Sequence, residues 1–255
     1  MRRTAPTFAA ALLITALAAC SPSGDTETPT SPAPAPEPAD TSEPAEPSSG
    51  SDGTETQGSG DGGATESDPP APTIPTQALP ETLLPADVLG TADQPREEAQ
   101  GVTAWLLPET CEQVTPDAVD MWTVTQGSGE FEEPVGVHQV AVFLDADAAV
   151  AGADALAAAF ASCAPSEGSP TIFAVEPLDI GAQGTGLATD YNGVSAGGDL
   201  DTALGSYLAE TRRGTAVTLT GFSGGDAQVG TSRADTTGLL AGAWERLCAY
   251  DSEGC

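Results

Sequence analysis

The sequence predicts an α+β fold: an antiparallel sheet with helices packed on one face, preceded by a disordered tether. Three observations point there. Short β-favouring runs cluster on either side of an Ala-rich stretch with helical spacing. A second helical pattern, Leu239 to Cys248, closes the chain. Ahead of both, Ser21 to about Thr76 is mostly Pro, Ser, Thr, Gly, Ala, Asp and Glu, with almost nothing apolar to bury.

Residues 1–19 read as a lipoprotein signal peptide. Arg2 and Arg3 precede an apolar run from Phe8 to Ala19, and Leu17-Ala18-Ala19-Cys20 looks like a lipobox. The run is too short to span a bilayer and is interrupted by Thr15. The implied chemistry is diacylglycerol thioether linkage to Cys20, followed by cleavage before it. That would anchor the mature chain to the outer face of the cytoplasmic membrane. Residues 20–77 then form the tether, exemplified by Pro32-Ala33-Pro34-Ala35-Pro36-Glu37-Pro38. It would carry the folded domain, residues 78–255, into the cell wall. Its Ser and Thr next to Pro are candidates for O-glycosylation.

Within the domain, Pro85 to Gly90 reads as a short helical turn stopped by Gly90. Val102 to Leu107 and Asp120 to Thr125 read as strands, with a Gly127-Ser128-Gly129 loop after them. Val137 to Leu144 is the clearest strand, nearly all apolar or β-favouring, which suits a central position. Asp145 can cap a helix reaching Cys163, with Val150, Ala153, Leu156, Ala157 and Phe160 along one face. Ile172 to Val175 and Ala188 to Asn192 follow as strands. Leu204 to Thr211 and Ala216 to Phe222 flank Arg212-Arg213-Gly214 as a hairpin. Asp235 is the expected cap of the last helix. The order is βββ-α-ββββ-α.

Charge limits the partners. Seven arginines and no lysine face 38 Asp and Glu, a formal net charge of -31. Nucleic acid is excluded as a partner, because its phosphates would be repelled. Flat binding to anionic lipid is disfavoured too, so membrane attachment falls to the lipid on Cys20. Of the five cysteines, Cys111, Cys163, Cys248 and Cys255 remain for an exported domain, and an even number there reads as disulfides. Three pairings are open. The sequential one, Cys111 with Cys163 and Cys248 with Cys255, is preferred. Without CxxC spacing, and with His138 the sole histidine, no zinc site or other metal is expected, and no cofactor.

Several pieces resemble a known group. Leu83-Leu84-Pro85-Ala86-Asp87-Val88-Leu89 precedes the first domain cysteine, and Val140-Ala141-Val142-Phe143 leads into the Ala-rich helix. Arg213-Gly214-Thr215-Ala216-Val217 precedes Trp244-Glu245-Arg246-Leu247-Cys248. The arrangement resembles the PknH-like extracellular domain, a sensor module of actinobacterial kinases and lipoproteins. The resemblance implies an α+β domain with two disulfides and a cleft for an extracellular ligand. This chain carries no kinase pattern, so sensing would need a partner protein.

The expected function is therefore a ligand-binding or sensory lipoprotein without catalytic activity. Two rivals stand beside it. Gly221-Phe222-Ser223-Gly224-Gly225 matches G-x-S-x-G, so Ser223 could serve a serine hydrolase if His138 came near it. The other is a structural or protein-interaction lipoprotein with no ligand pocket. Asp145-Ala146-Asp147 hints at a calcium loop, but Ala149 and Val150 stand where that loop needs an oxygen ligand and a glycine, and a helix cap fits better. His138 reads as a surface or satisfied sheet-face residue. Trp105, Trp122 and Trp244 could stack on a ligand, with core packing the default for Trp244.

Overall fold

Residues 73–130 and 133–255 are described by the structure, a computed structural model. The expected signal peptide, Cys20 and most of the expected tether lie outside the described residues.

Seven strands form one antiparallel sheet: β1 Arg96–Gln100, β2 Asp120–Gln126, β3 Val135–Val142, β4 Ile172–Leu178, β5 Gly184–Asp190, β6 Gly205–Arg213 and β7 Ala216–Ser223. Their spatial order is β1-β2-β3-β7-β6-β5-β4. Helix α1, Ala146–Ala161, links β3 to the far edge at β4; helix α2, Val229–Arg246, follows β7. Both edges are blunted. β1 is charged, and β4 carries Pro177, which has no N–H to offer.

The helices do not share a face, contrary to the expected one-sided packing. Along β3, Ala141 faces Leu156 and Phe160 of α1, while Val140 and Val142 face Ala243 of α2. Alternate residues of a strand point to opposite faces. The nearly unbroken apolar run of β3 is therefore the signature of a strand covered on both sides.

Asp145 caps α1 as expected, accepting a hydrogen bond from the Ala148 N–H at 2.8 Å. Its small residues bring it close to the sheet: Gly152 packs on the Phe143 ring, leaving no room for a Cβ. Helix α2 begins six residues before the expected Asp235, which is an exposed residue inside it. Its start is fixed by backbone: Val229 N–H donates to the Ala203 carbonyl and Gly205 N–H to that of Ala227. Its first half hides Ser232 and Thr236, whose hydroxyls bond the Gly205 and Tyr207 carbonyls. Such polar burial leaves no apolar stripe to read.

Val102 to Leu107 joins no ladder, which corrects the expected strand. The Gln139 side chain takes the place of a neighbouring strand, accepting from the Leu106 N–H at 2.7 Å and donating to the Ala104 carbonyl at 3.2 Å. The first strand is instead Arg96–Gln100. The disulfide pairings are the expected Cys111–Cys163 and Cys248–Cys255. The packed chain starts by Ile74, four residues ahead of the expected Ala78. Ala78 is itself buried, and its carbonyl accepts from the Trp122 indole at 2.9 Å.

Candidate functional site

The β6–β7 hairpin closes with Arg213 opposite Ala216, so Gly214 and Thr215 form the turn. Gly214 has φ +55, and a Cβ there would strike the Tyr250 carbonyl and Asp251, so both conformation and space require glycine. The C-terminal segment docks on this turn, with Thr215 N–H donating to the Tyr250 carbonyl at 3.1 Å.

Strand alternation sends the two arginines just before the turn to opposite sides of the sheet. Arg213 lies on the α2 side. Its guanidinium carbon sits 4.2 Å from the centre of the Trp244 ring, and its Nε reaches Asp251 Oδ2 at 3.2 Å. Its terminal nitrogens donate to the Trp244 and Gly254 carbonyls, both at 3.4 Å. Arg212 turns to the α1 side, donating from Nε to Gln183 Oε1 at 2.6 Å and from Nη1 to the Gly214 carbonyl at 3.0 Å. Among the described residues no carboxylate lies within ion-pair distance of Arg212. The two side chains line an open cavity of about 560 Å³ at the end of the sheet. Trp244, Gly181, Asp251 and Ser252 also line it, together with Ala146 at the start of α1. The sequence places Arg212 and Arg213 in the hairpin turn, whereas both belong to β6, and it gives Trp244 as a stacking candidate with core packing as the default. The available signal was two adjacent arginines in an arginine-poor, acidic chain.

A second cavity, of about 280 Å³, lies between α1 and the segment from Trp105 to Asp117. Its walls are chiefly apolar, including Phe143, Val114 and Pro116. Specific sites pair apolar walls with a few convergent polar groups, and the arginine cavity has more of them.

Ser223 and His138 are not brought together. Ser223 is exposed on the α1 side of β7, opposite Val135. His138 pairs with Thr220 and faces the other side, fully buried. The helix after Ser223 starts only at Val229, without the sharp strand-to-helix turn of a nucleophile elbow. Neither His138 nitrogen makes a well-formed hydrogen bond. Burial holds its pKa down to about 4, outweighing the nearby backbone of Thr82 and Leu219. It is thus a buried sheet-face histidine, but an unsatisfied one.

Glu210, on the α1 side of β6, is a second buried ionisable group, unnoticed in the sequence. Neither carboxyl oxygen has a well-formed hydrogen bond. Burial pushes its pKa up to about 8, against a smaller opposing influence of the Thr185 hydroxyl and with a further upward push from Asp154. On the α2 side, Arg233 is paired with Glu176 at 2.7 Å and with Asp201.

Among the described residues, no cluster of His, Cys, Asp and Glu is placed to hold a metal ion. No described helix is long and apolar enough to cross a membrane. No protein-family model matches the chain, and no curated protein matches it.

Proposed function

We propose that this chain is a lipid-anchored extracytoplasmic lipoprotein whose folded domain binds an extracellular ligand, as a carrier or as a sensor. The lipobox-like Leu17-Ala18-Ala19-Cys20 and the acidic, Pro-rich segment after it support the anchoring part. The resemblance to PknH-like sensor domains is part of the same reading, and the α+β architecture with two disulfides is compatible with it. The observation that carries the binding part is the Arg212–Arg213–Trp244 cavity. It is concave, of ligand size, and is bordered by Trp244 and by both arginines. A purely structural role gives no reason to keep such a cavity open.

A thermal-shift screen of the full-length protein against wall fragments, lipids and metal ions tests this. A ligand of the native state raises the melting temperature. A hit whose shift shrinks in an Arg212→Gln variant is the expected result. A silent screen, or hits indifferent to that substitution, would remove the cavity as a ligand site.

A further inference from the structure

We propose that the arginine cavity is an oxyanion site, taking a monosaccharide-sized ligand that carries a carboxylate or phosphate and packs against the Trp244 wall. This rests on the binding-module reading and gives it a ligand class.

Charge placement is the first argument. The chain carries formal charge -31, so positive groups are scarce. Elsewhere in the domain they are committed to the fold. Arg96 pairs with Glu98, Arg233 with Glu176 and Asp201, and Arg246 donates to the Glu81 carbonyl. Arg212 and Arg213 also bond the fold, but both border one cavity whose wall carries Asp251 as its only carboxylate, which leaves one positive charge there uncompensated. A site with surplus guanidinium in so acidic a protein favours an anion over a neutral ligand.

The donors left over are the second argument. Guanidinium offers five N–H groups in a planar fork suited to carboxylate or phosphate. Arg212 uses Nε and Nη1, and its Nη2 makes no hydrogen bond among the described residues. Arg213 meets Asp251 at 3.2 Å, longer than the roughly 2.7–2.9 Å of a strong charge-assisted pair. Asp251 therefore acts as an internal occupant, showing the chemistry this guanidinium accepts. It sits in the short loop closed by Cys248 and Cys255, at the cavity wall, where an incoming oxyanion would compete with it for the Arg213 guanidinium.

The third argument is the aromatic wall. Gly181 lets the Trp244 indole approach, because a Cβ there would lie 2.7 Å from its Cδ1 and Nε1. Arg213 stacks on the ring and orients it. The part of the indole that borders the cavity gives an apolar wall beside two guanidiniums, which suits a sugar rim bearing an acid group.

The test titrates the full-length protein with D-glucuronate, D-glucose 6-phosphate and D-glucose, following tryptophan fluorescence and melting temperature. At least one anion should bind, with glucose about tenfold weaker or worse, as expected for loss of one charge-assisted contact. The tighter anion identifies carboxylate or phosphate as the preferred group. Arg212→Gln should weaken that anion about tenfold, and circular dichroism on the free variant checks that it is folded. Asp251→Asn, which removes the internal competitor, should strengthen it. Glucose binding as well as the anions, or anion binding indifferent to Arg212→Gln, overturns the oxyanion assignment and leaves the binding-module reading intact. If all three are silent the oxyanion assignment falls; the module reading falls only when the wider thermal-shift screen is silent as well.

Discussion

Tyr207 lies across Gly186. The phenol extends from β6 over β5 and donates to Glu176 Oε1 on β4 at 2.5 Å, and a Cβ on residue 186 would overlap its oxygen. Arg233 covers the ring, 5.5 Å from its centre, and shares the same carboxylate. Burial and the Glu176 contact push the Tyr207 hydroxyl well above its usual pKa, so it stays a donor.

Gly186→Ala should therefore destabilise the domain by about 2 kcal/mol, the usual scale of overpacking. Tyr207→Phe removes the oxygen that the new methyl would strike. The double substitution should be less destabilising than the sum of the two single ones. Chemical denaturation of the four proteins measures this, and strict additivity would refute the contact.

The two disulfides should matter differently. Cys111–Cys163 closes 52 residues and pins the loop before β2 to the end of α1, where Glu112 N–H also donates to Ser162 Oγ at 2.8 Å. In the chain-entropy model its loss costs about 4 kcal/mol, against roughly 2 for the short Cys248–Cys255 loop. Cys111→Ser with Cys163→Ser should thus lower the melting temperature by more than Cys248→Ser with Cys255→Ser. The second pair should disturb the arginine cavity more, because Asp251 and Gly254 both rest on Arg213. Calorimetry and the anion titration, run on both double variants, read the two effects separately.

The parts of this fold visible in the sequence are those with local physics. Asp145 and its alanines announce α1, and Val217 and Leu219 alternating with threonines announce β7. Strand β1 was hidden because Arg-Glu-Glu-Ala-Gln forms a solvated edge and needs no apolar face. The first half of α2 was hidden because it buries serine and threonine against carbonyls instead of apolar side chains. The candidate site was the least legible part. Its walls come from β6, the Gly181 loop, α2 and the C-terminal loop, and only tertiary packing joins them.

Membrane attachment should depend on Cys20. Cys20→Ser removes the thiol that would accept the lipid, and the apolar run before it is too short to hold the chain as a spanning helix. Fractionation of cells producing each form should move the variant from the membrane to the soluble fraction. A Cys20→Ser protein that stays with the membrane would end the lipoprotein reading.

Stability should be flat in mild acid and fall toward pH 8, because His138 and Glu210 are buried on opposite faces with opposite preferences. His138 titrates near 4 when folded and near 6.5 when unfolded. Between those values the unfolded chain holds the extra proton, so stability rises with pH. Glu210 titrates near 8 when folded and near 4.5 when unfolded. There the folded protein holds the extra proton, so the stability Glu210 contributes is full below 4.5 and is lost as pH rises to 8. The two slopes oppose each other from 4.5 to 6.5. Above 6.5 His138 no longer contributes, and Glu210 alone lowers stability, by about 1.4 kcal/mol per pH unit and on the order of 2 kcal/mol by pH 8. Below 4.5 the His138 slope is joined by those of Asp93, Glu133 and Asp190, whose pKa values are lowered by hydrogen bonds from Thr91, from Ser128 and Gln94, and, against the upward push of burial, from Ser195 and Asn192. Glu210→Gln keeps the shape but cannot ionise. It should abolish the fall between pH 6.5 and 8 while costing stability in acid, where the neutral carboxyl already fits. Denaturant melts of both proteins from pH 5 to 8 decide it: a wild type as stable at pH 8 as at pH 6, or a variant that keeps the same fall, would show that Glu210 is ionised in the folded domain.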